Sequence, residues 1–170
     1  MLSLIAIPQN IPGHAIEAGW FLLRQAKKTG DVDLKKTALE QFMLNPLNYG
    51  WDKEYGGIYY FLDADGLSPT QLEWDMKLWW PHNEAMISFL MAYKETNDVM
   101  YLDLFAKVFD YSCSHFVDEK QGEWFGYLNR RGEVTHRFKG GPWKGKCNDQ
   151  RKINEINNIS EKVQHADSLM

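Results

Sequence analysis

Cysteine is scarce in this sequence: Cys113 and Cys147 are the only two in 170 residues. Two cannot build a disulfide framework, and a reducing compartment is the simpler setting. Blocks of like charge are missing too. With a formal net charge of -4, nucleic acid and anionic membrane surfaces are excluded as expected partners. No long apolar run occurs. Met1 to Ile7 is apolar, but Pro8 ends it and no basic residue precedes it. That stretch is too short for a signal-peptide core with its flanks, and far too short to span a bilayer. A cytoplasmic location is expected. The chain also lacks a nucleophile elbow, a dinucleotide fingerprint and a cysteine-ligand zinc site.

Aromatic residues stop well before the C-terminus. All 24 Phe, Trp and Tyr residues lie at or before Trp143, and Lys146 to Met170 contains none. At the whole-chain aromatic frequency of 14%, about three or four would be expected there. Residues 146–170 therefore read as a divergent polar tail, and 1–145 as the folded unit. Overall composition is globular, with 44% hydrophobic and 25% charged residues, which excludes disordered and collagen-like chains.

The folded unit repeats. Asp52 to Gly66 aligns without gaps on Asp118 to Gly132, an offset of 66 residues. Asp52/Asp118, Gly56/Gly122, Leu62/Leu128 and Gly66/Gly132 are identical pairs, while Tyr59/Phe125 and Asp63/Asn129 are similar. Each copy reads as a β-hairpin, an aromatic run followed by an Asp, Asn and Gly turn. Two helical patterns precede each copy. The first pair spans about Ala15 to Lys28, stopped by Gly30, and about Asp33 to Leu44. The second places Ala85, Met86, Phe89, Leu90 and Tyr93 on one face, then Tyr101, Leu104, Phe105, Val108 and Phe109, with Asp98 as N-cap. Helix, helix, hairpin thus occurs twice, and a third unit stops short after Trp143. Such units bury their apolar faces against neighbours. The expected fold is all-α, part of a larger α/α toroid with short β-hairpins between helix pairs.

Two constellations could do chemistry. His14 and Glu17 stand three apart at the start of a helix and face the same way. Glu17 can fix the tautomer of His14 and support its protonated form, while the positive helix N-terminus opposes protonation. A histidine so placed can both take and give a proton. The plainer reading is a glutamate answering the helix dipole. A metal needs a second such pair, and none is evident, so no metal is expected. The second constellation is Lys77 to Glu84. Paired Trp79 and Trp80 near the Glu84 carboxylate suit a sugar stacked on indole. Alternatively, one indole is core and the other covers it. His82 reads as a structural polar residue, and His115, His136 and His165 as surface residues. Lys139 to Gly145 is a glycine-rich turn without phosphate-loop spacing that could present Trp143 to a pocket.

Pro12 to Leu23, Pro69 to Trp74, Lys77 to Glu84 and Gly122 to Leu128 together resemble the N-acylglucosamine 2-epimerase family, over about residues 10 to 145. The resemblance implies an (α/α)6 barrel of roughly twice this length, of which the chain matches the C-terminal half. It implies interconversion of N-acetylglucosamine and N-acetylmannosamine at C2, a step feeding sialic acid metabolism, through two histidine bases acting on opposite faces of an enolate. His14 matches one base, with Glu17 as its hydrogen-bond partner. Glu84 matches a glutamate needed for activity, and Trp79, Trp80 and Trp143 match sugar-holding aromatics. No cofactor is needed for the chemistry, while ATP is an effector in several members. A homodimer is the family's usual assembly, and its animal branch binds renin.

Two departures accompany the resemblance. The family's second histidine lies in a Cys-Phe-His-Val-Pro-Arg run, where this sequence has Asn148, and an amide is no proton-transfer base. An essential arginine of the family belongs to an N-terminal half not present here. The chain alone is therefore expected to be weak or inactive. The alternative is a non-catalytic fragment or isoform acting as a sugar- or protein-binding module.

Overall fold

The computed structural model describes residues 9–63, 65–67, 69, 71–141 and 144. The tail from 146 onward, including Asn148 and His165, and the indole of Trp143 lie outside the described residues.

Helix α1 runs Pro12–Thr29, three residues earlier than the apolar periodicity suggests. Proline at the first helical position leaves no extra orphan amide, which is why the helix can open there. It closes on Gly30 in the left-handed conformation, as the sequence indicates. The Asp31 carboxylate then caps α2, Val32–Thr37, accepting the Leu34 amide at 2.9 Å. Expectation and structure part after this point. The helix does not stop at Leu44 but winds as a π-helix over Ala38–Leu44 and continues as α3, Asn45–Gly50. Within the π turn, Ala38, Leu39 and Met43 are buried against α1. The wider winding keeps these apolar residues turned inward past the point where an α-helix would rotate them away.

Helix α4 covers Trp79–Thr96 and α5 Met100–His115. Val99 rather than Asp98 takes the N-cap position of α5, although the Asp98 carboxylate still accepts the Met100 amide at 3.0 Å. Helices α1 and α4 lie side by side; the Val32–Gly50 run backs α1, and α5 backs α4. Helix α4 is buried on almost every side, from Trp79 to Ala92, as befits an inner helix of a two-layered array. Ile16, Leu23, Met43, Ile58, Met86 and Phe89 form the common core.

The sequence repeat survives as backbone geometry. Gly56 donates to the Asp52 carbonyl at 2.9 Å, and Gly122 to the Asp118 carbonyl at 2.8 Å. Both glycines carry positive φ, 74° and 73°, where a side chain would be strained. Farther on, the side-chain oxygens of Asp63 and Asn129 accept the Asp65 and Arg131 amides at 2.9 and 3.0 Å. The expected hairpins close locally through short bridges. Among the described residues the local pairings are isolated bridges: Trp51 with Ile58, Val117 with Trp124, and Leu128 with Val134 across the turn at Gly132. The longer pairings reach outside. β1, Gln9–Asn10, pairs antiparallel with β2, Leu62–Asp63; β3, Lys77–Leu78, pairs antiparallel with β4, Tyr127–Leu128. The first ties the entry of α1 to the first hairpin, and the second ties the second hairpin to the start of α4. Among the described residues no helix is long and apolar enough to cross a membrane.

Candidate functional site

Because α1 opens at Pro12, His14 is its third residue, and Glu17 falls in the second turn rather than the first. A second-turn carboxylate gains little from the helix dipole, so the plain reading of Glu17 weakens. Instead Glu17 Oε2 lies 3.2 Å from His14 Nδ1. With Nδ1 so engaged, Nε2 is the ring nitrogen left for chemistry. The His14 side chain is 61% exposed, so this imidazole sits at the protein surface and not in a dry interior.

Trp80 closes the other side. Its ring centroid is 4.6 Å from that of His14, tilted by 35°. Gly13 makes the contact feasible, since a Cβ there would sit 2.8 Å from the Trp80 ring. One turn further along α4, Glu84 lies on the same face as Trp80. Its carboxylate is 1% exposed and accepts the Trp20 indole N–H at 2.8 Å. Trp20 is three residues beyond Glu17, stacks on Phe21 and carries the Arg24 guanidinium 5.6 Å from its centroid. His14, Glu17 and Trp20 from α1 thus meet Trp80 and Glu84 from α4 along one seam. Sequence reasoning passed over Trp20; the signal was there, in the i, i+3 continuation of His14 and Glu17.

The two tryptophans divide their roles. Trp79 is only 4% exposed, packed edge-on against Tyr127 with the Lys144 ammonium 5.8 Å from its centroid. It is the core indole of the pair, the second of the two arrangements expected, and Trp80 is the one beside His14. The expected loop around Lys139 holds a second surprise. Lys144 is buried and donates to the Lys139 carbonyl at 3.1 Å.

His82 is structural, as expected. It is fully buried, its Nδ1 is 2.6 Å from the Leu78 carbonyl and its Nε2 accepts the Ile58 amide at 3.0 Å. Burial pulls its pKa down to about 3, so the ring is neutral, with the proton on Nδ1. His136 is exposed, but His115 is not the surface residue expected. It is half-buried, its ring tilted by 31° against Tyr111 at 4.3 Å, with Nδ1 3.2 Å from the Gly132 carbonyl.

The site's main unforeseen feature is ionic. Asp52 and Lys77, both essentially unexposed, meet at 2.9 Å, and Arg130 Nε reaches the same Asp52 oxygen at 3.1 Å. Burial alone would raise the Asp52 pKa, but Lys77, Arg130 and the Glu54 and Tyr55 amides hold it well below the usual carboxylate range. Burial draws Lys77 down to about 8 despite its partner.

The paired helices that carry this seam can be set against proteins of known family and fold. The N-acylglucosamine 2-epimerase (GlcNAc 2-epimerase) family profile matches residues 7–145, and the chain belongs to that family. It is 59% identical over 134 residues to the N-acylglucosamine 2-epimerase of Bos taurus, an alignment covering 79% of this chain and 32% of that protein. The chain thus spans about a third of the curated relatives it matches, less than the half that the motifs suggest. Among solved structures, D-mannose isomerase superposes with a TM-score of 0.76 at 23% identity, covering 90% of this chain and 38% of that one. Cellobiose 2-epimerase from Spirochaeta thermophila gives 0.73 at 25% identity, covering 92% and 39%. The fold is accordingly a segment of the α/α toroid of these enzymes.

Proposed function

We propose that this chain carries one catalytic half of an N-acetylhexosamine 2-epimerase site, with His14 as a base at C2. The observation that carries the reading is the exposed His14 imidazole, held through Nδ1 by Glu17 and flanked by Trp80 at 4.6 Å. In the open-chain sugar the aldehyde acidifies the C2 proton. His14 Nε2 takes that proton, and the C–H electron pair moves into C1–C2 while the carbonyl π pair moves onto oxygen, giving an enolate. Glu17 stabilises the imidazolium that forms. The Trp80 face holds the apolar side of the sugar, and Glu84, braced by Trp20, supplies a fixed carboxylate at the seam.

Inversion needs a second acid to return a proton to the opposite face. The position that the family resemblance assigns to it is Asn148, which cannot serve. On this reading the chain alone exchanges the C2 proton slowly and does not complete epimerisation, since loss of one partner in a two-base mechanism removes orders of magnitude in rate. A second reading, a sugar- or protein-binding module without turnover, is favoured by exposed Phe21, Val32 and Phe109, side chains suited to association.

Titrating the chain with N-acetylglucosamine while following tryptophan fluorescence tests the site. Saturable quenching in the wild type that is lost in Trp80→Ala supports it. Equal response in both proteins removes Trp80 from the site and the proposed cleft with it.

A further inference from the structure

Beyond the seam, each of the two copies pairs its aspartate with a lysine, buried in the first copy and partly exposed in the second. In the first, Asp52 pairs with Lys77, whose ammonium lies 3.8 Å from the Tyr59 ring centroid. In the second, Asp118 pairs with Lys139 at 2.6 Å, and that ammonium lies 5.3 Å from Phe125. Asp52 and Asp118, like Tyr59 and Phe125, are partners in the 66-residue repeat. Each lysine sits where the chain leaves its hairpin region. Lys77 stands two residues before α4, and Lys139 stands immediately before Gly140 and Gly141. The aspartates are repeat partners while the lysines are not, since the residue 66 beyond Lys77 is Trp143; the buried pair is therefore particular to the first copy. An apolar pair would spare the cost of desolvating two charges, so a buried pair is better explained by the register it enforces.

In the first copy the device is reinforced. Arg130, from the second hairpin, bonds both Asp52 and Glu54 at 3.1 Å. One carboxylate therefore fastens three segments together. The Lys77 backbone is held as well, bridged to Tyr59 on one side and paired with Leu128 on the other. The Trp79 amide then donates to the Gly126 carbonyl at 3.2 Å. The next residue is Trp80, whose ring leaves no room for a Cβ on Gly13. A helix start displaced by even an ångström either breaks that contact or drives the ring into α1.

We propose that Lys77 is a positioning residue: its buried pairing with Asp52 sets the height of the α4 N-terminus and so seats the Trp80 indole against Gly13 and His14. The sugar-binding consequence rests on the epimerase reading above; the seating of Trp80 does not.

The test uses the whole 170-residue chain and two separate readouts. The first is the His14 Cε1–H resonance, which the nearby Trp80 ring displaces. Lys77→Met is expected to keep its helical circular dichroism but to shift this resonance toward its unstructured position. Asp52→Asn should do the same, and Lys77→Arg should restore it. If Lys77→Met does not fold, Arg130→Leu takes its place, since that side chain is 37% exposed, and a smaller shift in the same direction is expected. A His14 resonance that stays put in the folded variant, with only the melting temperature lowered, overturns the proposal by leaving Lys77 a purely stabilising role. The second readout is N-acetylglucosamine affinity, expected to fall about tenfold in Lys77→Met and to recover in Lys77→Arg, a change of that size being about 1.4 kcal/mol. Absence of sugar binding in the wild type defeats the epimerase reading alone, because the resonance still decides the role of Lys77.

Discussion

The Trp20 indole donates to the buried carboxylate of Glu84 at 2.8 Å, joining residues 64 positions apart on neighbouring helices. The bond lies at the inner end of the seam whose outer end is His14 and Trp80. A buried carboxylate loses the water that would solvate it, and each retained donor offsets part of that loss. Trp20→Phe keeps most of the ring and deletes the donor. It is expected to lower unfolding stability by about 2 kcal/mol, measured by urea denaturation. An unchanged midpoint would show that Glu84 is satisfied without Trp20.

Gly13→Ala adds a single methyl group where the Trp80 ring is 2.8 Å away and the Pro81 Cβ 2.9 Å away. Either α1 or the indole must move. A loss of about 1 to 3 kcal/mol is expected, as for other overpacked sites. Trp80 emission should shift to longer wavelength as the ring is pushed into solvent. Retained stability and emission together would mean that the two helices approach less closely than described.

Acid sensitivity should carry the mark of His82. Its folded pKa, near 3, lies below the unfolded value of 6.5 because burial, and to a lesser degree the charges of Lys77 and His115, disfavour the imidazolium. Below pH 6.5 the unfolded chain binds a proton that the folded chain refuses. The stabilisation is therefore complete above pH 6.5 and is lost progressively as pH falls toward 3. Asp52, whose pKa is also depressed, adds its own loss at the acid end of this range and below it. The midpoint of urea unfolding should fall steadily from pH 6.5 to pH 4 in the wild type. His82→Gln, which retains an acceptor for the Ile58 amide, should show a shallower decline. Equal slopes would place the acid-labile group elsewhere.

Much of the fold was legible because its signals are local. Gly56 and Gly122 declare their turns in sequence, and Gly30 its helix end, because left-handed backbone selects glycine. His14 and Glu17 were legible for the same reason, lying one helical turn apart. The π turn at Ala38–Leu44 was not, since its apolar spacing continues an ordinary helical stripe and nothing in it breaks a helix. The longer strand pairings were not legible because β1 with β2 and β3 with β4 join segments far apart in the chain, whereas turn chemistry reports only the hairpin. In the sequence Lys77 has no role of its own, only a place at the head of the tryptophan-pair constellation. Its burial depends on Asp52, 25 residues earlier, and on Arg130 from the next copy. Trp79 and Trp80 share one sequence environment, and only the direction of α4 separates the core ring from the one beside His14.

The most direct test of the epimerase reading is C2 exchange. The chain is incubated with N-acetylglucosamine in D2O, and deuterium at C2 is followed by NMR for the wild type and His14→Gln. His14 is exposed, so the variant should fold with stability within about 0.5 kcal/mol of the wild type. Slow C2 deuteration without N-acetylmannosamine, reduced at least about 100-fold in His14→Gln, is the expected result. Equal deuteration in both proteins, or accumulation of N-acetylmannosamine with the wild type, would contradict the assignment of His14 as the single working base.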